Sequence, residues 1–131
     1  MKYLIDTDVI IDYLRGKAKL SREFVENGSG ISIITLGELI YGAYKSISPQ
    51  QSIETTKSFI EESGIQIVGI SQETVYNFGE VKAQLEKSGK RLEDFDLLIA
   101  ATAKINSLIL VSRNLQHFKR IKGLKLFQGE N

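Results

Sequence analysis

The chain has 131 residues, of which 42% are hydrophobic and 25% charged, with a single proline. This length is typical of one domain, so we expect a single domain over residues 1–131, and the composition excludes a mainly disordered or fibrous protein. No apolar run approaches the roughly 18 to 20 residues that a bilayer span needs. We therefore expect no membrane segment and a cytoplasmic protein.

Two residue counts restrict the chemistry that the chain can perform. There is no cysteine, which excludes disulfides and thiolate sites, and His117 is the single histidine, too few for a histidine zinc site. The net charge is only +1, but residues 104–131 carry six basic residues and one acid, Glu130. This basic segment either contacts a polyanion or is a solvated surface.

Short apolar runs alternate with segments of helical spacing along the chain. Apolar residues recur with helical periodicity around residues 36–43, 75–85 and 97–105. The runs predict four buried strands, at Tyr3–Ile5, Ile31–Ile34, Ile65–Ile70 and Leu108–Val111. Continuous apolar strands alternating with helices predict an α/β fold with a parallel sheet that is covered on both faces.

Local signals predict where helices begin and end. Thr35, with Glu38 three residues later, predicts a capping box, and Ser71 with Thr74 gives a weaker one. Pro49 predicts a loop, and the segment 88–90 (Ser-Gly-Lys) predicts the end of a helix.

Polar residues follow three of the predicted strands. Asp6 follows the first, Thr35 and Glu38 follow the second, and the segment 112–114 (Ser-Arg-Asn) follows the fourth. Ligands of open parallel sheets bind beyond the carboxyl ends of the strands, so these positions are the first candidates for a site. The segment 94–96 (Asp-Phe-Asp) adds two carboxylates at the start of an apolar helix, where they could also serve simply as N-terminal caps.

Convergence of these carboxylates would require a counter-charge. Two carboxylates about 4 Å apart repel each other by roughly 4 kcal/mol at an effective dielectric constant near 20. Oxygen ligands without histidine or cysteine favour a hard ion, so Mg²⁺ or Mn²⁺ is expected. Such an ion supports hydrolysis of a phosphodiester. The alternative is that each carboxylate has a structural role.

At four segments the sequence resembles the PIN-domain ribonucleases and, more narrowly, the VapC-type toxins of toxin–antitoxin pairs. The segments are Tyr3–Asp12, Ser32–Gly42, Asp94–Ala103 and Leu110–Phe118. Their order and separations match from Lys2 to about Leu126. The resemblance implies a three-layer α/β/α sandwich with a mainly parallel sheet. It also implies endonucleolytic cleavage of RNA with Mg²⁺ or Mn²⁺, a homodimer and a cognate antitoxin protein.

The resemblance also implies roles for individual residues. Asp6, Glu38 and Asp96 correspond to the catalytic, metal-binding carboxylates, and the Thr7 hydroxyl corresponds to a supporting group. The family's fourth position falls in the segment that holds Ser112 and Asn114.

Many members carry an aspartate at this fourth position, where this chain has Asn114. The amide adds no charge, so a second metal ion should bind more weakly than the first. Asp94 is included among the expected metal ligands because it could compensate for the missing acid, the alternative being that it only caps its helix.

The remaining charged residues have simpler predicted roles. Arg113, Lys119 and Arg120 are candidate contacts for the RNA backbone. Asp8 and Asp12 are predicted to lie on a solvated helical face. His117 has no acid near it in sequence, which favours a surface or capping role over contact with an RNA phosphate.

Two other functions remain open. The segment 6–9 (Asp-Thr-Asp-Val) after an apolar strand is similar to the nucleophile motif of haloacid-dehalogenase-like phosphatases. The order of the later motifs argues against that family, because the acidic pair here precedes Ser112. The missing fourth acid favours a second alternative, a catalytically silent PIN-like module that binds RNA or protein.

Overall fold

Four short strands lie side by side at the centre of this computed structural model, which describes residues 1–129. Glu130 and Asn131, included in the predicted domain and basic segment, lie outside the described residues. The strands pair in parallel in the order β3-β2-β1-β4, which confirms the predicted parallel sheet. They are β1 (Tyr3–Ile5), β2 (Ser29–Ser32), β3 (Gln66–Val68) and β4 (Ile109–Val111).

Helices connect the strands and cover the sheet. The three helices expected from apolar periodicity and the helix expected to carry Asp8 and Asp12 are present, together with three others within residues 1–129 that were not predicted from the sequence. In chain order they are α1 (Thr7–Leu14), α2 (Arg22–Glu26), α3 (Ile33–Tyr44), α4 (Pro49–Ser63), α5 (Gln72–Lys87), α6 (Asp94–Ile105) and α7 (Leu115–Phe118). No helix within residues 1–129 is both long and apolar enough to cross a bilayer.

The two faces of the sheet carry separate hydrophobic cores. Leu4 packs in a cluster with Leu97 and other residues of α5 and α6. Its neighbours Tyr3 and Ile5 pack in a second cluster with Phe24 and residues of α1 and α3. Because successive side chains of a strand point to opposite faces, one short strand contributes to both cores. Helices therefore flank the sheet on both sides, as the predicted α/β/α sandwich requires.

The predicted strand Ile31–Ile34 ends two residues early, and α3 begins in its place. The Ser32 side chain accepts a hydrogen bond of 3.0 Å from the backbone N–H two residues later, and so caps α3. The predicted capping box of Thr35 and Glu38 is therefore wrong. Thr35 is fully buried inside the first turn, and Glu38 lies in the second turn.

The first residues of two other helices can be compared with the predictions made from the local sequence. The predicted capping box at Ser71 and Thr74 is confirmed, with both reciprocal hydrogen bonds present at the start of α5. Pro49 is the first residue of α4 rather than part of a loop, a position where its missing N–H has no cost. Helix α4 was missed because its sequence is mostly polar and it buries only Ile53 and Thr56.

Candidate active site

The first candidate carboxylate is held rigidly at the carboxyl end of β1. The chain passes from β1 to β2 on one side and reaches β4 on the other, so β1 and β4 end together at a switch point of the sheet. Asp6 follows β1 and is 6% exposed. Its Oδ2 accepts a 2.7 Å hydrogen bond from the Ser112 hydroxyl, and its Oδ1 accepts one of 2.8 Å from the Thr7 backbone N–H.

Thr7 joins the second candidate carboxylate to the same place. Its Oγ1 donates a hydrogen bond of 2.7 Å to Glu38 Oε1, across from α1 to α3. The Thr35 hydroxyl lies 3.0 Å from Thr7 Oγ1. Thr7 and Glu38, 31 positions apart in sequence, are therefore connected directly, and the role of Thr7 in supporting a metal site stays a prediction.

Asp96, in the first turn of α6, is electrostatically coupled to both carboxylates. Burial and then the neighbouring Glu38 raise the pKa of Asp96, and His117 opposes this rise. Burial, then Asp8, raises the pKa of Asp6 to about 7, with Asp96 as a further contributor and the Ser112 and Thr7 hydrogen bonds opposing. The structure thus brings the three predicted catalytic carboxylates into one electrostatic neighbourhood.

Asp8 is a member of this acidic site that the sequence analysis missed. Its pKa is raised by burial, and its Oδ1 is buried without a hydrogen-bond partner among the described residues. The predicted solvated face is wrong, because the side chains of Asp8 and Asp12 are only 27% and 16% exposed. The spacing of Asp6 and Asp8 was the sequence signal for this placement, because a helix that begins at Thr7 keeps both carboxylates at the same edge of the sheet.

Arg113 offsets the charge of α1. Its Nη1 lies 3.1 Å from Asp12 Oδ2, its Nε lies 3.9 Å from Asp8 Oδ2, and its backbone N–H donates to the same Asp8 oxygen at 3.2 Å. Arg113 thereby attaches the segment after β4, which carries Ser112, to α1. Contact with RNA by Arg113 remains a prediction, and this residue has ion pairs of its own.

The donor set of the site suits Mg²⁺ or Mn²⁺. All candidate ligands are oxygens, burial and then a neighbouring carboxylate raise the pKa of Asp6 and of Asp96, and Asp8 Oδ1 is buried without a hydrogen-bond partner among residues 1–129. Within residues 1–129, no three acidic or histidine side chains stand together as a ready-made cation site. This arrangement is compatible with Mg²⁺, which usually retains several waters between itself and carboxylates.

Asp94 contacts a residue outside the set of candidate carboxylates. Its Oδ1 accepts a 2.8 Å hydrogen bond from Lys82 Nζ on α5, and its side chain is 56% exposed. Its side chain does not cap α6. A role for Asp94 as a compensating ligand stays a prediction, and binding a metal ion would require it to leave Lys82.

A groove of about 730 Å³ opens beside the carboxylates. Glu38, Asp96 and His117 line it together, and it continues past Phe95 to Arg120. His117, for which a surface or capping role is predicted, lies in the wall of this open groove, and its role stays a prediction. Asn114 Nδ2 lies 2.7 Å from His117 Nδ1. Their spacing of three residues, which places both on one face of a helical turn, was the available signal.

Comparison with known proteins assigns the family. The model of the PIN domain family matches residues 3–124. The chain belongs to the PIN domain family. This membership confirms the resemblance found in the four sequence segments and argues against the phosphatase alternative.

Individual relatives within the PIN domain family match over nearly the whole chain. Ribonuclease VapC2 of Haemophilus influenzae is 35% identical, covering 95% of this chain and 96% of the relative. The tRNA(fMet)-specific endonuclease VapC of Salmonella typhimurium is 33% identical, with 96% of both chains covered. A crystal structure of VapBC2 from Rickettsia felis bound to a promoter DNA fragment contains a chain that is 30% identical, with a TM-score of 0.88 and coverage of 97% and 98%.

Proposed function

We propose that the protein is a metal-dependent endoribonuclease of the VapC type that acts as the toxin of a toxin–antitoxin pair. The observation that carries this proposal is the grouping of Asp6, Glu38 and Asp96 at the carboxyl edge of a PIN-family sheet, beside an open groove. The names of the VapC relatives support RNA as the substrate. An enzyme that acts on cellular RNA would work in the cytoplasm.

The side chains have complementary parts in this mechanism. Asp6, Glu38 and Asp96 would hold Mg²⁺ or Mn²⁺, which supplies positive charge for the phosphorus centre and lowers the pKa of water. Ser112 and Thr7 fix the rotamers of Asp6 and Glu38 through hydrogen bonds of 2.7 Å each. Asp6 and Glu38 are thus held in place before RNA binds, so little reorganisation of these two carboxylates is needed during the reaction.

Cleavage assays with matched carboxylate variants test the proposal. Purified protein should cut transfer or ribosomal RNA with Mg²⁺ or Mn²⁺, and a chelator should stop the reaction. Asp6→Asn, Glu38→Gln and Asp96→Asn should each lower the rate by at least about a hundredfold, on the scale of losing a major electrostatic contribution. Asp94→Asn is the control, since its carboxylate lies on Lys82. Folded protein that binds RNA without cutting it would favour the silent module.

We also infer an antitoxin partner and a homodimer. The VapBC complexes among the structural neighbours support the antitoxin. Tyr41 and Tyr44 of α3 are 64% and 61% exposed, and Ile47 beyond it is fully exposed, so these residues offer an apolar surface to a partner protein. Sedimentation of the purified chain tests the dimer. Co-purification with the product of an adjacent small reading frame tests the antitoxin, and Tyr41→Lys with Tyr44→Lys should weaken that complex.

A further inference from the structure

We propose that His117 donates a hydrogen bond from Nε2 to a phosphate oxygen of the bound RNA, and that Asn114 is the positioning residue that orients it. In this assignment Asn114 acts through His117 and does not serve as a ligand of a second metal ion. The inference rests on the proposed function, because RNA supplies the phosphate.

The contact between Asn114 and His117 determines which imidazole nitrogen carries the proton. Asn114 Nδ2 lies 2.7 Å from His117 Nδ1. We assign Asn114 Nδ2 as the donor and His117 Nδ1 as the acceptor, because an amide nitrogen can only donate a hydrogen bond. In a neutral imidazole the proton is then on Nε2, on the opposite side of the ring. The ring therefore has a fixed donor directed away from Asn114.

Hydrogen bonds also connect this donor to the first carboxylate. The backbone N–H of Asn114 donates to Ser112 Oγ at 2.9 Å, and the Ser112 hydroxyl donates to Asp6 Oδ2 at 2.7 Å. The peptide segment that carries Asn114 is thus fixed relative to Asp6. His117 lies in α7, three residues after Asn114.

The position of His117 in the groove would allow its Nε2–H group to contact a phosphate. His117 lines the groove together with Glu38 and Asp96, and it is close enough to Asp96 to influence the pKa of that carboxyl group. A phosphate group that enters this region meets several negative charges. An N–H donor in the same groove would offset part of that repulsion, because hydrogen bonds to an ionised acceptor are stronger than neutral ones.

Basic side chains around the groove already have other partners. Lys82 is bonded to Asp94, and Arg91 Nη2 lies 3.9 Å from Glu86 Oε2. Arg120 Nη1 donates to the Arg91 carbonyl at 3.0 Å. Among the basic residues that line the groove, His117 is the one whose charge acts on Asp96, so we expect its N–H to face a phosphate beside that carboxylate.

Nuclear magnetic resonance can read this arrangement without any activity, because His117 is the only histidine of the chain. Long-range ¹H–¹⁵N spectra should show the Nε2–H form in the wild type and a loss of that preference in Asn114→Ala. With Glu38→Gln, Mg²⁺ and a single-stranded RNA of about ten nucleotides, the Nε2 resonance should shift on binding. An Nδ1–H form, or an unchanged Nε2 resonance at RNA saturation, would overturn the inference.

Cleavage kinetics separate the two roles of the pair. His117→Ala and His117→Asn should lower kcat/KM by about tenfold to a hundredfold, the scale of a hydrogen bond to a charged group. His117→Gln should recover most of the rate, because its amide nitrogen reaches the position of Nε2. Equal losses in Gln, Asn and Ala variants of normal thermal stability would contradict the donor role.

A double-mutant cycle tests the part of Asn114. Asn114→Ala should lower kcat/KM in the wild-type background and change it less than about twofold in the His117→Ala background. The Mg²⁺ concentration for half-maximal rate should stay the same. Additive losses with a raised Mg²⁺ requirement would show that Asn114 is a metal ligand. If the parental protein cuts no RNA, the proposed function fails, and the resonance experiment still decides whether His117 contacts bound RNA.

Discussion

Thr7 Oγ1 donates a hydrogen bond of 2.7 Å to Glu38 Oε1 and so connects the first turn of α1 with the second turn of α3. The carboxylate can only accept, so the Thr7 proton is committed to Glu38. This single contact holds one acid of the site next to the strand end that carries another.

Removal of this contact should impair cleavage more than stability. Thr7→Val keeps the shape of the side chain and removes the hydroxyl, which frees Glu38 to rotate and should lower kcat by about tenfold, on the scale of one hydrogen bond to a charged group. Thr7→Ser should retain most of the rate. The initial rate of RNA cleavage and the free energy of unfolding in urea should be measured for both variants. Similar cleavage rates for Thr7→Val and Thr7→Ser would contradict the positioning role.

The metal-free protein should lose stability as the pH rises from about 4 to about 7. Asp6 has a folded pKa of about 7 and an ordinary value of 3.8, so its contribution is fully present below the ordinary value and is lost as the pH passes the folded one. Asp6→Asn removes this loss and should stabilise the chelated protein at pH 8 by roughly 2–4 kcal/mol.

Urea unfolding in a chelator at pH 5 and pH 8 measures the effect. The control is Asp94→Asn, whose exposed carboxylate contacts Lys82 and should give no gain at pH 8. An equal effect of Asp6→Asn at both pH values would show that Asp6 does not titrate in this range.

Divalent cations should stabilise the protein through the same carboxylates. At a concentration a hundredfold above Kd, a ligand that binds only the folded state adds about 2.7 kcal/mol. Millimolar Mn²⁺ should therefore raise the Tm of the wild type by several degrees, and Asp96→Asn should reduce this rise. Asp94→Asn should leave it intact; if it abolishes the rise, Asp94 is a ligand and its pairing with Lys82 is broken on binding.

Arg113 should prove to be a structural residue of the site. Arg113→Ala removes the ion pairs with Asp8 and Asp12, and because the guanidinium is 59% exposed the loss should be about 1 kcal/mol. The salt dependence of RNA binding distinguishes the predicted phosphate contact. A phosphate-binding arginine lowers the slope of log K against log salt by about 1, and we expect this change for Arg120→Ala and not for Arg113→Ala.

Local rules predicted those parts of the fold that depend on neighbouring residues. The apolar run at Tyr3–Ile5 and the capping box at Ser71 are decided by residues within a few positions, and the structure agrees with both. The boundary at Ser32 was misplaced because isoleucines suit a buried strand as well as a helix start. Only the capping hydrogen bond distinguishes the two.

The sequence by itself determined the chemistry available to this protein, because residue types alone fix an all-oxygen set of ligands and a single imidazole. It also gave the family through four motifs. Only the tertiary structure decided which distant side chains are neighbours: Thr7 contacts Glu38, Asp94 contacts Lys82, and Arg113 pairs with Asp8 and Asp12. The physical reason is that these contacts depend on how helices from distant segments pack on the sheet edge, and no local pattern encodes that packing.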